Sequence, residues 1–154
     1  MNKTIILMAI FSVVAVIVCA VSTTNNQILI DRGLYIVNRA SLCTDCHNER
    51  DSSGRINEKR VLSGAQITFR PITPMPDWAT YAPNLTPGGI LRNWTDQQLV
   101  RFLMTGVAPE GGYADHPMPP YRFNEADAKA VTAYLRSLPA VRTQEEPSDH
   151  QHQH

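Results

Sequence analysis

The amino-acid sequence predicts an all-α domain in which three or more helices and long loops surround a large apolar centre that the chain itself does not supply. Three segments place apolar residues at helical spacing, and no segment has the sustained alternation of a strand. Residues 48–93 show no periodicity at all. Eleven prolines and only four phenylalanines among 154 residues indicate a small core and much irregular structure. Such a chain would bury little apolar surface without a bound group.

The length of the chain favours a single domain, which we place at residues 27–140. Residues 1–22 precede it as a separate apolar segment, and residues 143–154 follow it as a polar tail that we expect to be disordered. The 14 basic residues balance the 14 acidic ones and are scattered along the chain. No basic stripe is present, so nucleic acid is not an expected partner.

The N-terminal segment has the pattern of an export signal or a membrane anchor. An apolar run over residues 5–21 follows Lys3, and it is slightly shorter than the ~20 residues of a comfortable membrane span. We expect an uncleaved anchor in preference to a cleaved signal. In either case the domain is expected on the periplasmic side of a bacterial inner membrane, where Cys43 and Cys46 are its only cysteines.

The first helix is predicted from Gln27 to Leu42 and runs straight into Cys43. Gly33 lies inside it at a cost in helix stability, which predicts a close approach by another helix. The apolar face is formed by Ile30, Leu34 and Val37.

The proline-rich segment over residues 48–93 is too long for an ordinary loop of a small domain unless it wraps something. Prolines exclude a helix or a central strand over most of its second half. Its apolar residues are therefore expected to cover the bound group, and these are Ile67, Phe69, Ile72, Trp78, Tyr81 and Leu85.

Two further helices have clear end signals. Thr95 and Gln98 form a capping-box pattern at the start of the second helix, and Gly106 fits its C-terminal stop. Asn124 is the predicted cap of the last helix, which Pro139 terminates.

The sequence C-T-D-C-H, Cys43 to His47, is the motif on which the function depends. A thioredoxin-type dithiol needs a βαβ context, whereas the neighbouring elements here are helix and loop. A structural zinc site usually needs a second pair of soft ligands, and the domain has no other cysteine. A disulfide across two residues would close a very small loop and stabilise little. None of these alternatives gives His47 a role.

Covalent haem c accounts for all three side chains. Cys43 and Cys46 would each bind one vinyl group, and His47 would reach the iron from the same side. An exported chain with no other cysteine in its domain is the setting in which this motif is most informative. The haem also supplies the apolar centre that the fold requires.

The second axial ligand is open on the residues alone. Met118 in H-P-M-P-P-Y and Met75 in T-P-M-P-D-W have the same proline-flanked setting and are equal candidates. His116 ranks behind them. Weaker candidates are Met104, which is expected in the core, and the tail histidines His150, His152 and His154.

The domain resembles the class I, monohaem cytochromes c, in which the haem motif closes an N-terminal helix. In that family a methionine in the loop before the C-terminal helix is the sixth ligand, which here implies Met118. The resemblance also places Gly33 and Tyr134 where the first and last helices cross. The stretches A-P-N-L-T-P, W-T-D-Q-Q-L, M-P-x-Y and Y-L-R-S-L-P are similar to cytochrome subunits of membrane-bound alcohol and sugar-acid dehydrogenases, although this chain has one haem motif and those have three.

The resemblance implies an electron carrier and not a catalyst. An iron held by His47 and Met118 has no open position for a substrate and exchanges single electrons. The expected partners are redox proteins: a dehydrogenase, an oxidase or another cytochrome. The alternative is a haem enzyme or gas sensor with an open or weakly held sixth site, for which His116 is the available distal group.

Overall fold

The described part of the chain, residues 23–142 of a computed structural model, is mainly helical, which confirms the all-α prediction. The apolar N-terminal segment and the polar tail lie outside it. None of the helices within residues 23–142 is long and apolar enough to cross a membrane. The elements are, in order, α1 (residues 23–35) with a π-helical turn (Ile36–Ala40), α2 (Cys43–His47), a 3₁₀ turn (Glu58–Arg60), β1 (Ala65–Gln66), β2 (Tyr81–Ala82), a second 3₁₀ turn (Ile90–Asn93), α3 (Asp96–Thr105) and α4 (Glu125–Ser137).

The first helix does not run straight into the cysteine motif, so that prediction is wrong. The backbone N–H and the hydroxyl of Ser41 both donate to the carbonyl of Ile36, each at 2.9 Å, and this ends the π-helical turn. Leu42 then adopts a left-handed conformation with φ 57°. The chain therefore changes direction before Cys43 opens α2.

The crossing of α1 and α4 fixes the orientation of the first helix. A Cβ atom on Gly33 would lie 2.1 Å from the carbonyl oxygen of Ala130, so only glycine allows this approach. The predicted close contact is confirmed. Leu34 is nevertheless 41% exposed, because α4 covers only the strip centred on Gly33 and Val37.

Helices α3 and α4 pack against each other and form most of the core. The capping box of Thr95 and Gln98 is present, Gly106 ends α3 with φ 76°, and Asn124 caps α4 by accepting from Asp127 N–H at 2.9 Å. These three predictions are confirmed. The fully packed apolar residues are Ile36, Val37, Leu62, Leu91, Leu99, Leu103, Ala128, Ala130, Val131, Tyr134 and Leu135.

The proline-rich segment contains the one strand pair of the described chain, in which Ala65 faces Ala82 in antiparallel register. The sequence did not predict it, since two residues per strand are too short for a periodic pattern. The expectation that all six apolar residues of the segment cover the bound group is wrong for three of them, since Phe69, Ile72 and Trp78 do not line the central cavity. Phe69 is half exposed and packs edge-on against Trp78 at 5.8 Å, and Ile72 is fully exposed.

Candidate cofactor site

A single cavity collects the chemically important side chains of the domain. Its volume is about 360 Å³, within the range of roughly 300–1,000 Å³ that is usual for cofactor pockets. Cys43, Cys46, His47 and Met118 all line it. The rest of the wall is mostly apolar and comes from α3, α4 and the proline-rich segment, including Ile67, Tyr81, Leu85, Leu91, Leu99, Phe102, Leu103, Val131 and Leu135.

His47 is buried and held in one orientation. Its Nδ1 lies 2.7 Å from the carbonyl oxygen of Pro83, and since a carbonyl only accepts, Nδ1 carries the proton. This leaves the lone pair of Nε2 free to bind a metal. Burial lowers the pKa of His47, which keeps the imidazole in the neutral form that a metal requires.

The two thiols are not joined in a disulfide. Burial raises the pKa of both, and for Cys46 the neighbouring carboxylate of Asp45 adds to the effect. Both thiols therefore hold their protons at neutral pH. Within residues 23–142 there is no cluster of three or more His, Cys, Asp or Glu side chains that could hold a metal ion.

The Met118 loop, residues 115–121, is fixed by one hydrogen bond within the loop and by two to other parts of the domain. Met118 N–H donates to Asp115 within the loop at 3.1 Å, and Ala79 N–H donates to the carbonyl of His116 at 2.6 Å. The Tyr121 hydroxyl donates to the carbonyl of Ser41 at 2.6 Å, and burial raises its pKa so that the phenol keeps its proton. The loop is thereby tied to the proline-rich segment and to the turn before Cys43.

The other candidate ligands among residues 23–142 do not line the cavity. Met75 is 39% exposed, on the outer part of the proline-rich segment. Met104 lies on α3 and faces a separate groove between α1, α3 and α4, so its expected place in the core is wrong. His116 is exposed and contributes its backbone to the loop. The tail histidines lie outside the described residues.

Two contributors to the site were not singled out by the sequence analysis. They are the carbonyl of Pro83, which orients His47, and the hydroxyl of Tyr121, which holds the Met118 loop. Both belong to stretches that carry the family resemblance, A-P-N-L-T-P and M-P-x-Y. The family resemblance of these two stretches was therefore the only feature of the sequence that pointed to Pro83 and Tyr121.

The fold and the cavity together define a small all-α protein built around an apolar cofactor site. The cavity is apolar, it has the volume of a cofactor site, and it brings two thiols, a neutral imidazole and a thioether to one space. The family model for cytochrome c matches residues 32–139. The chain belongs to the cytochrome c family, and its cofactor is haem c.

Several curated proteins are similar to this chain. It is 31% identical over 119 residues to the fructose dehydrogenase cytochrome subunit of Gluconobacter japonicus, a stretch that covers 71% of this chain and 22% of that protein. It is 28% identical over 116 residues to a diheme cytochrome c-type protein of Cereibacter sphaeroides, covering 72% of this chain and 36% of the relative. The alcohol dehydrogenase (quinone) cytochrome c subunit of Gluconobacter oxydans is 29% identical over 117 residues, which cover 71% of this chain and 24% of that subunit.

The chain spans between about a fifth and about a third of the length of these relatives. They are cytochromes and cytochrome subunits. As a member of the cytochrome c family, the chain is a haem electron carrier.

Proposed function

We propose that this chain is an exported, monohaem cytochrome c that passes single electrons between redox partners through an iron bound by His47 and Met118. Cys43 and Cys46 would form the two thioether links. When bound, the haem supplies a one-electron couple, and the protein supplies its ligands, its apolar surroundings and a surface for partners.

The observation that supports the proposal most directly is that His47 and Met118 line the same cavity as both thiols. Nδ1 of His47 is engaged by Pro83, so that Nε2 is the atom left for the iron. A thioether as the second ligand favours ferrous iron and gives a higher reduction potential than a second imidazole would. The apolar wall acts in the same direction, because a low dielectric disfavours the extra charge of ferric haem.

The redox partners are proposed to include a dehydrogenase, since two of the similar proteins are cytochrome subunits of fructose and alcohol dehydrogenases. An oxidase or a further cytochrome would serve as the opposite partner. Electron-transfer contacts of this kind are small and weak, which suits repeated docking and release.

The ferric absorption spectrum of the purified holoprotein, recorded with and without cyanide, tests the ligation. We expect a low-spin spectrum with the iron–sulfur charge-transfer band at its red end, and slow, weak cyanide binding. A high-spin spectrum with rapid cyanide binding would contradict the proposal and would support an open-site haem enzyme or gas sensor.

Residues 1–22 are proposed to export the domain and to remain as its anchor, because the apolar run over residues 5–21 follows the positive charge of Lys3. We expect the haem protein in the membrane fraction with an intact N-terminus, as measured by mass spectrometry. A mature chain that starts near Val21 or Thr23 would contradict the anchor. Recovery of the haem protein from the cytoplasm would contradict export.

A further inference from the structure

A hydrogen-bonded junction lies directly behind the residue that orients His47. It consists of Asn84, Thr86 and Val141, and the first two side chains are only 2% and 1% exposed. Asn84 Oδ1 accepts from both the backbone N–H and the hydroxyl of Thr86, each at 2.8 Å. Asn84 Nδ2 donates to the carbonyl of Val141 at 2.8 Å, and Val141 N–H donates back to Thr86 Oγ1 at 3.1 Å.

The orientation of the Asn84 amide is determined by these partners. The Thr86 N–H can only donate, and the Val141 carbonyl can only accept, so exchanging the amide oxygen and nitrogen would break both bonds. Both ends of the side chain are thus used in an environment without solvent. Loss of either partner would leave a buried polar group unpaired, which is the costly arrangement.

The junction is connected to the carbonyl of Pro83 through the backbone. That carbonyl belongs to the peptide unit that joins Pro83 to Asn84, and the proline ring already fixes φ at Pro83. Asn84 O accepts from Ile90 N–H at 3.1 Å, and Leu85 N–H donates to Leu62 O at 2.8 Å. With the backbone held on this side as well, the Asn84 side chain fixes the remaining freedom of the peptide plane.

Two glycines pack so closely against the junction that neither position could carry a Cβ atom. A Cβ atom on Gly89 would lie 2.1 Å from Asn84 O, and one on Gly88 would lie 2.3 Å from Val141 O. The turn that follows Asn84 therefore packs directly on the junction. A shift of Asn84 would have to move this turn or the segment after α4.

We propose that Asn84 is a positioning residue for the proximal ligand: by binding both Thr86 and the segment after α4, it aims the Pro83 carbonyl at Nδ1 of His47. The inference rests on the proposed function, in which His47 binds the iron. A firm hydrogen bond at Nδ1 raises the basicity of the imidazole, and a more basic ligand stabilises ferric iron. Loosening the junction weakens this bond and raises the reduction potential.

The test compares two asparagine substitutions in the full-length holoprotein. Asn84→Ala is expected to raise the reduction potential and to speed the solvent exchange of the His47 Nδ1 proton, measured by NMR in the reduced protein. The matched control is Asn124→Ala, which removes an identical side chain from the cap of α4, outside the cavity lining. The control is expected to lower the melting temperature and to leave the potential and the proton exchange unchanged.

Two threonine variants keep the test decisive where Asn84→Ala fails to retain haem. Thr86→Val removes the hydroxyl with little change of volume and is expected to shift both readouts in the same direction as Asn84→Ala. Thr86→Ser restores the hydroxyl and is expected to return them to the wild-type values. Thr86→Val with an unchanged potential and proton exchange would overturn the inference.

The inference would also be overturned if the reduction potential shifted in proportion to the melting temperature in both the Asn84 and the Asn124 variants. The potential would then depend on stability and not on the orientation of His47. Failure of the proposed function is distinguishable from these outcomes. In that case the iron–sulfur band is missing from the wild-type protein before any substitution is made.

Discussion

Replacing Met118 with alanine is expected to abolish the ferric iron–sulfur charge-transfer band and to lower the reduction potential. The thioether is the ligand that favours ferrous iron, so its loss shifts the couple towards ferric. The iron would also have an open coordination position. Cyanide affinity in the ferric state is expected to rise by more than about tenfold, which corresponds to ~1.4 kcal/mol.

The matched control for Met118→Ala is Met75→Leu. Both methionines lie between prolines, but Met75 is 39% exposed and does not line the cavity. Its substitution is expected to leave the spectrum, the potential and cyanide binding as they are. Loss of the band in Met75→Leu with its retention in Met118→Ala would assign the ligand to the proline-rich segment. Retention of the iron–sulfur band in both variants would contradict ligation by either methionine.

The double substitution of Cys43→Ser and Cys46→Ser is expected to abolish covalent haem attachment and with it the stable fold. A cavity of about 360 Å³ that is left without its occupant costs up to ~9 kcal/mol at roughly 24 cal/mol per Å³. This is an upper figure, because the cavity opens to solvent, but it is comparable with the whole stability of about 5–15 kcal/mol of a typical domain. Denaturing mass spectrometry should show one haem on the wild-type chain and none on the variant.

Cys19→Ser is the control for this experiment, since it removes the third cysteine of the chain, which lies outside the haem motif. It is expected to retain one covalent haem and the wild-type melting temperature. An intact, folded double variant would contradict the structural role of the haem. A wild-type domain isolated with zinc and no haem would contradict the assignment of the motif.

The parts of the fold that the sequence predicts well are those governed by local rules. The cap at Thr95, the cap at Asn124 and the stop at Gly106 each depend on one side chain or one backbone conformation, so a few neighbouring residues suffice. The close approach at Gly33 was predictable because a glycine inside a helix lowers helix stability, and close packing against another helix explains why it is present. The family resemblance placed the last helix at that approach through Tyr134, and the structure shows that the backbone of Ala130 makes the closest contact.

Other features depend on contacts between distant segments and leave little trace in local sequence. The break at Ser41 and Leu42 requires Leu42 to adopt a left-handed conformation, which is not expected for a leucine. The orientation of His47 depends on a backbone carbonyl, and every residue has one. Met118 and Met75 have equivalent neighbours in the sequence, so their difference arises only when the chain ties His116 to Ala79.

The hydrogen bonds of Val141 have a practical consequence for where this domain can be cut. The last helix ends at Ser137, yet Val141 binds Asn84 and Thr86, and the carbonyl of Arg142 accepts from the Arg60 side chain at 3.3 Å. A chain shortened to the end of α4, or a fusion joined there, would therefore leave the buried Asn84 amide and Thr86 hydroxyl without their hydrogen bonds to Val141. The boundary for protein engineering lies beyond Arg142, and a linker is best started there.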